Sequence, residues 1–455
     1  MADLNIRGGI VVNAASRQEA DVAIRNGRIV AVGHDLPRTA TEVDARGLFV
    51  LPGIVDVHVH FNEPGRTDWE GAATGSRALA AGGGTLFCDM PLNSSPVTVT
   101  AADVDRKREA LEAAAVTDFA LWGGLVPGRI GDMEPMAERG VIGFKAFMCA
   151  SGLDEFPPVD DRTLLEGMHE AARLSLPVAV HAENDALVKR PWGPDVRSFL
   201  ASRPAIAEVE AIHRATLFAG ETGVSLHIVH VSTGRGVAVA AEARARGVDV
   251  SIETCPHYLF FTDDDLERLG AIGKCAPPLR PAADREALWT DLASGDVDIV
   301  ASDHSPAPSA LKSGDFAKAW GGIAGVQSTL SVLLERGYHA RRLSLERIVD
   351  ITSRTPARRF KLPWKGRIDV GADADLLLLD AHAAYTLTER DLQQRHKTNP
   401  YVGGSFRGRI RRTVIRGTTI YQDGSITAAG GGRFVRPERE NQRSSAAARE
   451  ERTHG

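Results

Sequence analysis

Apolar and polar positions change rhythm twice along this chain. In residues 1–52, short apolar runs such as 9–12 and 22–32 alternate with polar residues at the two-residue period of half-buried strands. Asn26-Gly27 stands between two such runs, and this pair tolerates the positive φ of a tight hairpin. A small β unit is predicted. From residue 53 short apolar runs alternate with stretches of helical spacing. The runs begin near Gly53, Gly84, Asp118, Gly143, Pro177, Ser225, Val248 and Val297, and helices are predicted at 69–82, 101–116, 159–175, 204–222 and 234–246. Such alternation marks repeated β/α units on a parallel sheet. Eight strands with crossovers predict a closed (β/α)8 TIM barrel, an α/β fold, over 53–365.

After residue 365 the β rhythm returns, at 366–380 and again at 412–421, where Arg416-Gly417 makes a hairpin-like turn. Residues 1–52 and 366–430 are therefore expected to join as one flanking β-sandwich domain. The chain leaves that domain, builds the barrel and returns. Residues 431–455 carry little apolar content, and their arginines are interleaved with glutamates, so a disordered tail without a charge-selected partner is predicted.

Composition narrows the function. A hydrophobic fraction of 43% and a charged fraction of 25% are those of a soluble globular protein. The net charge of -5 leaves no basic footprint for nucleic acid. No run approaches the roughly 18 apolar residues of a membrane span, and the start of the chain lacks a signal-peptide apolar region. Cys88, Cys149, Cys255 and Cys275 are too few and too scattered for a disulfide framework. These features predict a reduced, cytoplasmic enzyme.

Candidate chemistry sits at the ends of the predicted barrel strands, where barrels carry their functional residues. Strand one ends in His58-Val59-His60, two imidazoles on one face of a strand. A pair of histidines so placed can share a divalent metal; the alternative, a wet strand face, fits poorly with the apolar neighbours Ile54, Val55, Val57 and Val59. Strand four carries Lys145, strand five His181, strand six His230 and strand eight Asp303. All six side chains converge on one mouth. Strand alternation places His227 opposite His230, on the helix side. His257 is a candidate to support the ligands, and His304 points away from Asp303. Two readings fit Lys145. Burial among Phe144, Ala146, Phe147 and Met148 favours a neutral amine, which beside bound metals can take up carbon dioxide as a bridging carbamate; or it pairs with a carboxylate such as Asp303. Asp303 in turn is either a metal ligand only or also the acceptor of a water proton.

The stretches 56–60, 143–145, 181–183, 230–232, 274–280 and 302–304 resemble, in order and content, the cyclic amidohydrolases of the amidohydrolase superfamily. The resemblance covers roughly residues 1 to 426. It implies a barrel with a flanking β-sandwich and two divalent metals, bridged by hydroxide and by Lys145 as N6-carboxylysine. His58, His60 and Asp303 would hold the more buried metal, and His181 and His230 the other. Histidine and carboxylate donors suit zinc, and also cobalt, manganese or iron. A homo-oligomer, a tetramer, is implied. Some relatives are catalytically dead scaffolds that have lost ligands, whereas this chain keeps all six.

Within that group, the segments 60–67, 89–94 and 319–325 are most similar to the allantoinases, which implies a cyclic amide substrate, allantoin, opened to allantoate. Asn62 and Asn93 would orient it, with backbone groups near Ala276 and Gly322; Asn93 also reads as a turn residue before Pro96. Dihydroorotases carry arginine where Asn62 stands, since their substrate bears a carboxylate that suits a bidentate fork. Arg66 is the one nearby residue that could substitute. Hydantoinases and dihydropyrimidinases carry tyrosine five residues after the bridging lysine, where this chain has Ala150.

Overall fold

The computed structural model describes residues 2–438. The barrel strands span Ile54–Val59, Gly84–Asp89, Asp118–Leu121 with its continuation Gly123–Gly124, Phe144–Phe147, Val178–His181, Leu226–Ile228, Val250–Thr254 and Ile299–Val300. They are called strands one to eight below. Neighbours pair in parallel, from one to three and from the continuation of three to eight. A parallel bridge between Val59 and His304 joins the end of strand eight to strand one. Every strand starts within a few residues of its predicted position.

The predicted helices form at Ala72–Ala81, Ala101–Ala114, Asp161–Arg173, Ala205–Thr222 and Gly234–Ala245. Their starts follow from side-chain chemistry. Thr100 and Asp103 make a reciprocal capping box, and the Asp160 and Thr233 side chains accept the N–H groups of Thr163 and Gly236. Strand side chains divide between two cores. Val55, Val57, Leu86, Trp122, Ala179, Val229 and Ile299 pack together inside the barrel. Ile54, Phe87, Phe144, Val180 and Ile228 pack outward against helix residues such as Leu79, Leu111 and Ile212.

Both chain ends join in one nine-stranded sheet. Its seam is Phe49–Pro52, parallel to Leu4–Asn13 on one side and antiparallel to Leu376–Thr386 on the other. The sheet has its own core, including Ile6, Val22, Ile24, Val50, Leu376 and Leu378. Both predicted hairpin turns form, with φ of 51° and 77° at Asn26 and Gly27, and 44° and 76° at Arg416 and Gly417.

Two expectations need correction. The strand expected over 366–380 begins only at Leu376. Before it, Asp373 and Asp375 turn to the buried Lys365, at 2.8 and 2.7 Å, and Asp118 at the start of strand three joins them at 2.6 Å. These aspartates serve an ion cluster that fastens the sheet to the barrel. The first residues of the expected tail are not free of the barrel either. Phe434 bridges Phe119, with ring centroids 5.6 Å apart, and the Val435 N–H donates to Phe119 O at 2.7 Å. With these apolar contacts, the Arg433 N–H to Asp118 and the Glu438 N–H to Lys361 O help seat 433–438 against the barrel; residues 439–455 of the expected tail lie outside the described residues. Among the described residues no helix is long and apolar enough to cross a membrane.

Candidate active site

The six predicted ligand residues come together at the mouth of the barrel. At the end of strand one the register with strand two shifts between Asp56 and Val59. His58 and His60 both reach the cavity there. The chain beyond them is held by Asp89, which accepts the Phe61 N–H at 2.8 Å and is itself paired with the buried Lys107. His58 Nε2 and His60 Nε2 lie 3.2 and 3.4 Å from Asp303 Oδ1. His181 Nδ1 lies 3.0 Å from His230 Nε2. The His58 and His230 rings are 5.5 Å apart, so the two groups adjoin.

Backbone strain helps to gather them. φ is 41° at His230 and 43° at Asp303, in the left-handed region that costs a non-glycine residue on the order of 1–3 kcal/mol. The turn at His230 also explains a correction. His227 does not face the helices. Its ring is buried inside the barrel beside Trp122, with Nδ1 2.9 Å from Ser251 Oγ and Nε2 3.0 Å from Glu253 Oε2. Strict alternation would send His230 the other way; the positive φ brings it back to the same side. His304 points away from the site as expected, its Nδ1 accepting the N–H groups of Gly325 and Val326. His257 is buried within reach of Asp303, and neither of its ring nitrogens has a partner among the described residues.

Lys145 is fully buried, and its Nζ has no hydrogen-bond partner among the described residues. Asp303 turns instead to His58 and His60, so the reading in which it pairs with Lys145 finds no support. Burial pushes the Lys145 ammonium down to about 8, against the pull of Glu253 and Asp303. Burial likewise holds His58 and His181 below the ordinary imidazole value and His230 well below it, leaving neutral rings with free lone pairs. At Asp303 burial acts upward, but His58 and His60 outweigh it and hold the carboxyl below its usual range. Neutral imidazoles, an ionised carboxylate and an orphaned buried amine form a donor set that fits divalent cations.

A cavity of about 500 Å³ opens above this cluster. Asn93, Ala276 and Gly322 line it, as does Ala150, where hydantoinases have tyrosine. Asn93, with φ of 70°, is both turn residue and wall. Asn62 stands beside the cavity, and its Oδ1 has no hydrogen-bond partner among the described residues. It is 1% exposed, lies outside the lining, and its Nδ2 donates to Pro306 O at 3.4 Å. Arg66 does not reach the cavity either; its guanidinium holds Asn93 O at 3.1 Å and Glu155 at 3.3 Å.

A family model described as the amidohydrolase family matches residues 49–420. The chain belongs to the amidohydrolase family. Among curated relatives, an allantoinase of Solibacter usitatus is 60% identical over 96% of this chain and 97% of its own length. One of Rubrobacter xylanophilus is 57% identical over 96% and 98%. Among solved structures, the L-hydantoinase (dihydropyrimidinase) of Arthrobacter aurescens matches with a TM-score of 0.93 and 35% identity, covering 96% of this chain and all of that one. The dihydropyrimidinase of Brevibacillus agri matches at 0.89 and 31%, covering 96% and 99%.

In this amidohydrolase two buried glutamates that the motif reading passed over orient the clustered histidines. Glu253 Oε1 lies 2.8 Å from His58 Nδ1 and accepts the His230 N–H at 3.1 Å, while Oε2 takes His227. One carboxylate therefore holds a side chain of one group and the strained backbone of the other. Burial acts upward on Glu253, yet His58 and His227 bring it down to about 2, so it stays ionised. Glu183 does the same for His181, with Oε2 2.8 Å from Nε2 and a buried ion pair to Arg203. A proton on His181 Nε2 leaves Nδ1 free to face His230. The available signal for both was an acidic residue inside an apolar strand or just past its end.

Glu253→Gln keeps the shape and loses one acceptor. Divalent metal affinity, read by competition with a chelator, should fall about 10–100-fold. An unchanged affinity would reduce Glu253 to a packing residue.

Proposed function

We propose that this amidohydrolase opens the five-membered ring of allantoin to allantoate. Two divalent cations would be held by His58, His60 and Asp303 on one side and His181 and His230 on the other, with Lys145 between them as a carboxylated lysine. The observation that carries this reading is the convergence of all six residues in one buried cluster, in a chain 60% identical to a curated allantoinase over 96% of its length. Zinc is the first choice of metal, with cobalt, manganese and iron as alternatives.

Bound cations supply two things here, a water whose pKa falls from 15.7 to about 7 and a polarised carbonyl. The rest belongs to the chain. Asp303 is ionised and stands at the cluster, so it accepts the water proton and delivers it to the ring nitrogen as the C–N bond breaks. Glu253 and Glu183 keep the imidazole lone pairs aimed. Asn93 and the backbone at Ala276 and Gly322 bound the space in which the ring is held.

The four cysteines are unpaired and buried, which suits a reducing cytoplasm. A homo-oligomer is the proposed assembly. Hydrolysis rates for allantoin, dihydroorotate, hydantoin and dihydrouracil, measured side by side on metal-loaded enzyme, test the reading. Allantoin should show the highest kcat/KM. A higher value for any of the other three would reassign the substrate.

A further inference from the structure

One wall of the cavity is the segment 315–322, which contains neither helix nor strand. Ala317, Ala319, Trp320 and Gly322 line the cavity from it. Its carbonyls have no ladder to enter, and buried carbonyls need donors. Two ammonium groups supply them. Lys274 Nζ donates to Phe316 O at 2.8 Å, Ala317 O at 3.2 Å and Ala319 O at 2.7 Å. Lys312 Nζ donates to Trp320 O at 2.9 Å, to Gly322 O, and to Ala271 O at 3.2 Å. Three carbonyls stand at each Nζ and match the three donors of the charged form, while burial pulls Lys274 down to about 8 and Lys312 down to about 7.

Lys274 also reaches across the cavity. Its Nζ sits 5.4 Å from the ring centres of both Trp192 and Phe199, and 5.0 Å from Phe316. Trp192 and Phe199 come from the segment that follows strand five, so one cation binds two walls through carbonyls and ring faces. The Gly322 N–H returns to Lys274 O at 2.7 Å. Gly322 itself, with φ of 139°, lies so close to Ser305 that a Cβ would come within 2.2 Å of Ser305 O. The segment is thereby keyed to the loop that follows Asp303.

We propose that Lys274 and Lys312 form a clamp that holds the wall 315–322 in register with the cluster, and that both are positioning residues for substrate binding. Neither acts on the reacting atoms. The clamp rests on the cavity being the site of the cyclic amide, and its test separates the two ideas.

Lys274→Met and Lys312→Met keep chain length and remove the donors. In metal-loaded enzyme, each should raise KM for allantoin about fivefold or more with a much smaller change in kcat, the pattern of lost ground-state positioning. Chymotrypsin should cut after Phe316 or Trp320 about tenfold faster, since local opening governs such cleavage. Lys274 makes the ring contacts as well, so Lys274→Met risks misfolding. Lys312→Met, which loses only three carbonyl contacts, then decides, with thermal midpoint and metal content as the check on its fold. A folded Lys312→Met enzyme with KM and cleavage rate both within about twofold of the parent would overturn the clamp. Should the parent enzyme fail to hydrolyse allantoin, the substrate reading falls, while the cleavage rates still decide the clamp.

Discussion

Lys145→Ala is expected to lower kcat/KM for allantoin by about a thousandfold or more, within the several kcal/mol that charge stabilisation at a metal site supplies. The reasoning starts from burial. Lys145 sits at 0% exposure with no hydrogen-bond partner for its Nζ among the described residues, and its charge acts on His58, His181 and His230 alike. A side chain so placed is costly as a free ammonium and useful as a bridging anion. Alanine would remove the proposed bridge and leave both imidazole groups intact. The barrel should still fold, because the neighbours Phe144 and Ala146 pack outward, away from the mouth. Metal content should fall below two per chain, and the thermal midpoint should move little by comparison. Small carboxylic acids should restore part of the activity by entering the vacated space. If the variant keeps near-normal turnover and metal content, Lys145 is a structural lysine.

Asp303→Asn should reduce kcat by about 10²–10⁴-fold, the range of a positioned acid–base group, while KM changes far less. The amide preserves size and one acceptor oxygen but cannot carry the proton. His58 and His60 lie within 3.4 Å of the carboxylate, so some loss of metal affinity accompanies the change. Measuring kcat at saturating metal separates the two effects. A variant with normal kcat and only a raised KM would move Asp303 from proton transfer to binding.

The eight apolar runs of the barrel, the two hairpins and the six residues that converge at the mouth were legible along the chain. Each is a local property. Period-two and helical spacing are set by neighbouring residues, Asn26-Gly27 carries its turn in its own backbone preferences, and barrel topology brings the ends of consecutive runs to one mouth whatever their packing details. That is why His58, His60, Lys145, His181, His230 and Asp303 could be gathered before any coordinates.

Other features depended on pairings that no local pattern encodes. His230 shares the inner side with His227 because its backbone leaves the extended region, a single φ that alternation does not foresee. Asn62 has the residue type of a substrate contact and stands beside the cavity, where Pro306, far along the chain, meets its amide. Glu253 reaches His58 across 195 residues, Lys274 reaches Ala319 across 45, and Phe434 finds Phe119 at the edge of a predicted tail. The sequence by itself determined which residues could ligate and on which kind of scaffold, because periodicity and strand ends are read from adjacent positions. The tertiary structure alone decided which carboxylate aims each imidazole and which amide meets the cavity, because a buried polar group must take its partner from whatever the packed chain places beside it.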